Sequence, residues 1–171
     1  VKCLVFFHPE DAHGLRLEQE QKIAEVYHAC CQSGHELLLE VILPENGPDK
    51  DERHYHTMLE HFYQLGIKPD WWKLPPLSSA SWQQITALIE REDPWSRGIL
   101  ILGLDAPSDK LRAGFAEAAA HPMIKGFAVG RTIFGQPSRR WMQGELSDEA
   151  LIEEVKRNYL TLIGYWREAR R

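Results

Sequence analysis

With 171 residues, 43% of them hydrophobic, and a formal net charge of -5, the chain can bury the core of one globular domain and shows no basic stripe of the kind nucleic-acid binders carry. Its longest apolar runs, over residues 4–7, 37–43 and 99–104, fall far short of the roughly 20 residues a membrane helix needs. Three cysteines with no CxxC pair, and no charged-then-apolar leader, fit a reducing cytoplasm rather than secretion.

Residues 1–7 are a nearly continuous apolar run broken by His8 and Pro9, the profile of a strand covered on both faces. A chain that opens inside such a strand reads as a fragment of a longer polypeptide. Residues 15–31 carry apolar side chains near helical spacing, and Ser33-Gly34 ends that helix. A second strand is expected over 36–43, stopped by Pro44, then a turn-rich loop over 45–52 and a helix over 54–65 closed by Gly66. Trp71 to Leu74 forms the third strand, ahead of Pro75 and Pro76. Ser79 or Ser81 caps a helix reaching Glu90, Asp93-Pro94 breaks it, and 98–104 is the fourth strand. A helix over 109–120 follows, stopped by His121-Pro122, and then a fifth strand over 126–129 that runs into Arg131 and a short helix. From Asp148 a long last helix places Leu151, Val155, Tyr159, Leu162, Ile163 and Trp166 on one face.

Strict alternation of apolar strands with helices means a parallel sheet with right-handed crossovers. It is either an open doubly wound sheet or, as the fold we expect, the C-terminal part of a (β/α)8 barrel, about five βα units in a single domain over 1–171. Both put an active site at the strand C-terminal ends. No GxGxxG or GxxxxGK[ST] loop follows any strand, which leaves a nucleotide-binding sheet without support.

A charge inside a buried strand is costly unless paired. Lys2, Glu40 and Lys73 are three such charges on three successive strands, and inside a barrel their heads can meet. Taken singly, Lys2 reads as a frayed end, Glu40 as a partner for any surface lysine, and Lys73 as a snorkelling side chain. Taken together they support carbonyl capture. A lysine desolvated by Trp71 and Trp72 and set near a second cation has a lowered pKa, so its amine can form a Schiff base while the neighbouring carboxylate moves protons. The last two strands end in glycines, Gly103 and Gly130, the latter followed by Arg131. In a barrel, phosphate sits at the loops after strands seven and eight, and if these are the last five strands of eight the two glycines lie there; the alternative is an ordinary strand-end turn.

The phrases Phe7-His8-Pro9-Glu10-Asp11, Gly34-His35-Glu36-Leu37-Leu38-Leu39-Glu40, Pro69-Asp70-Trp71-Trp72-Lys73-Leu74-Pro75 and Gly103-Leu104-Asp105-Ala106-Pro107 resemble, across nearly the whole chain, one known domain. This is the aldolase-like domain that follows the 5-dehydro-2-deoxygluconokinase domain in bacterial proteins of inositol catabolism, itself similar to class I, tagatose-bisphosphate-type aldolase barrels. The resemblance implies Lys73 as Schiff-base lysine, Glu40 as acid/base, Lys2 as the neighbouring lysine, and Gly130 with Arg131 as the phosphate loop. It implies cleavage of 5-dehydro-2-deoxygluconate 6-phosphate to dihydroxyacetone phosphate and malonate semialdehyde, with no cofactor or metal. It also implies that the N-terminal part of the barrel and a kinase domain are partners in the full-length protein. The other reading is a non-catalytic barrel domain that stabilises or regulates the kinase. Were the five strands to stand alone, their open edges would need another copy of the chain to cover them.

Two further residues sit where strands end. His8 would point into the mouth of a barrel and contact substrate, or serve as a turn residue before proline; Asp105 would contact substrate or cap the next helix. His54, His56 and His61 have no pair at i, i+4 and no HExxH, so they predict no zinc site. Cys30 and Cys31 read as packing residues.

Overall fold

In the computed structural model, which describes residues 1–171, the alternation resolves into β1 (Lys2–Phe6), α1 (His13–Ser33), β2 (Leu38–Ile42), α2 (Arg53–Gln64), β3 (Trp71–Leu74), α3 (Ser79–Glu92), β4 (Gly98–Ile101), α4 (Ser108–Ala119), β5 (Ile124–Phe127), α5 (Arg131–Met142) and α6 (Asp148–Ala169). The local signals act as read at most ends. Gly34 takes the left-handed conformation that closes α1, and Ser147 caps α6 by accepting from the Ala150 amide. The cap of α3 is Ser78, whose hydroxyl accepts from Ser81 N–H, one residue earlier than Ser79. Two elements depart further. β5 begins two residues before its expected start, and the short helix after Arg131 runs for 12 residues with Pro137 inside it.

All four strand pairings are parallel, and the sheet order is β1-β2-β3-β4-β5. A doubly wound sheet reverses its order part-way; this one does not, so the open doubly wound alternative is set aside. Sequential order with crossovers of one hand puts every helix on the same side, the arrangement of a partial βα barrel. Side-chain parity agrees. Val5, Leu39, Val41, Trp72, Leu74, Ile99, Ile101 and Ile124 point towards the helices and are buried with Phe62, Ile85, Leu111 and Phe115 in one cluster. Each large apolar side chain there contributes about 1.5–3 kcal/mol by leaving water. The alternate residues, Leu4, Phe6 and Leu100 among them, lie on the face that no helix covers, and Leu4 and Phe6 are exposed. No helix is long and apolar enough to cross a membrane.

Candidate active site

The register fixes which polar side chains share the uncovered face. Glu40 is paired with Leu4 on one side and with Lys73 on the other, and Lys2 lies two residues below Leu4 on the same strand. All three charged side chains therefore emerge from one face. Their heads meet: Lys2 Nζ lies 2.6 Å from Glu40 Oε2, and Lys73 Nζ lies 3.1 Å from Glu40 Oε1. Each carboxylate oxygen holds one ammonium, which answers the cost of burying Glu40. The two lysines differ in solvation, since the Lys2 side chain is 50% exposed and that of Lys73 only 15%. The expected desolvation of Lys73 by both tryptophans is corrected by parity. Trp72 points to the helix side, fully buried, and its indole N–H donates to Tyr63 Oη at 2.9 Å. Trp71 is on the Lys73 face, but it stands at the strand's N-terminal end with its indole N–H on Glu36. What Lys73 touches is the carboxylate.

Above the C-terminal ends of the strands lies a cleft of about 880 Å³, bounded by Phe6 and Ile42 from the sheet, the β2–α2 loop, Leu104, Asp105 and Arg131. Asp105 and Arg131 both line it, whereas Gly103, Gly130, Lys2, Glu40 and Lys73 do not. A Cβ on Gly103 would stand 2.8 Å from Val129 Cγ1, and one on Gly130 would stand 3.1 Å from the Phe134 ring, so Gly103 lets the β5–α5 connection sit close and Gly130 leaves room for the first turn of α5. Leu104 and Asp105 take φ of +46° and +61°, and Ala106 N–H donates to Gly103 O at 2.8 Å. Positive φ at both central positions is the type I′ form, which favours Asn-Gly; here it is imposed on Leu-Asp and aims both side chains at the cleft. α5 adds a helix between β5 and α6 whose N-terminus, at Gly130-Arg131, opens beside the same rim.

His8 takes the turn position rather than the place in the cleft mouth. It is fully buried behind the β2–α2 loop and does not line the cleft. Its backbone N–H donates to Asp11 Oδ2 at 2.9 Å, and its Nδ1 accepts from Glu10 N–H at 3.1 Å. This turn breaks strand parity and swings the ring towards α2, 4.4 Å from the ring of His54. The residues that sequence reasoning missed are on the β2–α2 loop and in the first turn of α2. Glu45, Lys50, Glu52 and Tyr55 line the cleft. Burial pushes the Glu52 carboxyl up, but hydrogen bonds from the Ser78 hydroxyl and amide bring it net below its ordinary value and tie this loop to the start of α3. Burial pushes the Tyr55 hydroxyl up; its oxygen accepts from Leu43 N–H. The only sequence signal for them was a charged loop at a strand's C-terminal end.

A family model described as "Uncharacterized protein conserved in bacteria (DUF2090)" matches residues 1–170. No curated protein matches the chain.

Proposed function

From the premise that the chain belongs to this family of uncharacterised bacterial proteins, whose description states no activity, we propose class I, Schiff-base aldol chemistry on a phosphorylated keto sugar acid such as 5-dehydro-2-deoxygluconate 6-phosphate. The observation that carries the reading is the shared carboxylate: Glu40 holds Lys73 at 3.1 Å and Lys2 at 2.6 Å on the uncovered face of the sheet. A lysine amine, a carboxylate in contact with it and a second cation are the groups that carbonyl capture and proton transfer require. Lys73 passes a proton to Glu40 and attacks the ketone, and as Glu40 returns that proton to the departing water an iminium forms. The carbon–carbon bond then breaks, its electron pair entering the iminium to give an enamine, while the proton of the cleaved hydroxyl passes to Glu40. Reprotonation and hydrolysis free the second product and the lysine. Lys2 holds Glu40 in place. Arg131 and the α5 N-terminus offer the charge and amide groups that a phosphate takes up.

On the same reading, the bare sheet face and the open edges at β1 and β5 are closed by further parallel strands from the N-terminal part of the barrel, with a carbohydrate kinase domain in the same cytoplasmic polypeptide. The test is borohydride trapping of the natural full-length protein with dihydroxyacetone phosphate. An adduct on Lys73 by mass spectrometry, absent in Lys73→Ala, is expected. Folded protein without an adduct would refute the chemistry and leave the non-catalytic, kinase-regulating domain as the better reading.

A further inference from the structure

Behind the β2–α2 loop, three side chains from separate parts of the chain converge: His8 just past β1, Asp49 in the loop, and His54 in the first turn of α2. Their nearest ligand atoms all lie within 4.8 Å of one another. His54 Nε2 is 2.7 Å from Asp49 Oδ1, and His8 Nε2 is 3.7 Å from the same oxygen. Two nitrogen or oxygen ligands on a tetrahedral zinc stand about 3.3 Å apart, given bonds of about 2.0–2.1 Å, so the two separations bracket what an ion requires and shifts under an ångström reach it. The second observation is independent of this grouping. His8 is fully buried, and its Nε2, aimed at Asp49, has no hydrogen-bond partner. A buried polar atom without a partner calls for an explanation.

We infer that His8, Asp49 and His54 bind a divalent transition-metal ion, with zinc, cobalt or nickel as the class that two imidazoles and one carboxylate select. An all-oxygen ion such as magnesium or calcium is not suited to this set. Asp49 is more than half exposed, which leaves an entry path and room for water as a further ligand. His8, Asp49 and His54 share no hydrogen bond or ion pair with Lys2, Glu40 or Lys73, and the ion takes no part in the aldol chemistry. Its effect is to staple the loop that forms one cleft wall to β1 and α2.

The proton inventory makes the inference specific. Glu10 N–H donates to His8 Nδ1, so without an ion the ring proton sits on Nε2. On binding, that proton moves to Nδ1, the Glu10 amide gives up its hydrogen bond there, and Nε2 gives its lone pair to the metal. One hydrogen bond is exchanged for a three-ligand site.

The experiment is titration of chelator-treated protein with zinc by calorimetry and with cobalt by visible absorption. One ion per chain with micromolar or tighter affinity is expected, together with the absorption of a tetrahedral or five-coordinate cobalt site. Asp49→Asn and His54→Ala, both at solvent-reachable positions, should each weaken binding at least tenfold with unchanged circular dichroism. Long-range proton–nitrogen spectra should show one buried histidine change from the Nε2–H to the Nδ1–H tautomer. No saturable binding, binding indifferent to both variants, or an unchanged tautomer at saturating zinc would each overturn the inference. None of these results bears on borohydride trapping at Lys73.

Discussion

Replacing Glu40 with leucine leaves two ammonium groups on the sheet without their shared partner. The Lys73 side chain, 15% exposed, loses its contact in a largely dry setting, whereas Lys2, half exposed, turns to water at little cost. Removing one partner of a buried pair costs 3–5 kcal/mol in general, and an exposed pair is worth about 0.2–1 kcal/mol. Because Lys73 retains some access to solvent, the low end applies, and Glu40→Leu is expected to destabilise by about 3 kcal/mol. For a chain of this length that is a fall in Tm of roughly 6–12 °C. Lys73→Met leaves Glu40 with Lys2 and should cost about 1 kcal/mol. The double variant, with an apolar pair in place of the ionic one, should lie within about 1 kcal/mol of the natural protein, because apolar replacement of a buried pair is near neutral. Urea unfolding of the four proteins completes the cycle, with a coupling of about 3 kcal/mol expected. Additive costs, or a Glu40→Leu penalty below about 1 kcal/mol, would show that the set is solvated and would refute the account of why Glu40 is held.

Gly98 has φ of +127° and a Cβ there would collide with Met123 O, so Gly98→Ala should cost more than about 3 kcal/mol or abolish soluble expression. Gly34 is also left-handed but has nothing within 4 Å, so Gly34→Ala should cost only about 1 kcal/mol by thermal melting. Changing Leu104-Asp105 to Asn-Gly relieves two strained positions and should stabilise by about 1–2 kcal/mol while weakening any activity that needs the Asp105 rim. Burial holds the Asp93 carboxyl above its ordinary range, so its contribution favours folding at acid pH and is lost as pH rises through the raised folded value. Asp93→Asn keeps an acceptor for Trp95 N–H and should therefore melt higher than the natural protein at pH 7. The gap should close below about pH 4, where the aspartate is protonated in both states.

The βα order was legible because each strand is apolar, short and bounded by a breaker, and the polar set was legible because charges on three successive apolar strands are harder to explain together than singly. α5 was read only as a short helix because Gly135 and Pro137 interrupt its pattern and arginines dominate it. β5 was placed late because a register shift beside Leu100 leaves exposed Lys125 at its start, and the apolar run that follows it is the stronger signal. Pattern alone could not orient His8. Residues past a strand end no longer alternate, and its Glu10 and Asp11 hydrogen bonds turn it under a loop. The convergence of His8, Asp49 and His54 was hidden for the same reason that the Lys2, Glu40 and Lys73 set was visible. Strand register carries the second set, whereas the first depends on how a loop folds back.

The unbroken strand order also governs how the chain acquires its shape. Every strand pairs only with its neighbours in sequence, across connections of 22 to 31 residues, so each closure has nearly the same modest entropy cost and none has to wait for a distant segment. Assembly can begin at any adjacent pair and spread by addition of one βα unit at a time, with neighbour contacts at each step. During synthesis, β1 and β2 can pair before β3 has left the ribosome, and each later strand docks on an edge already formed.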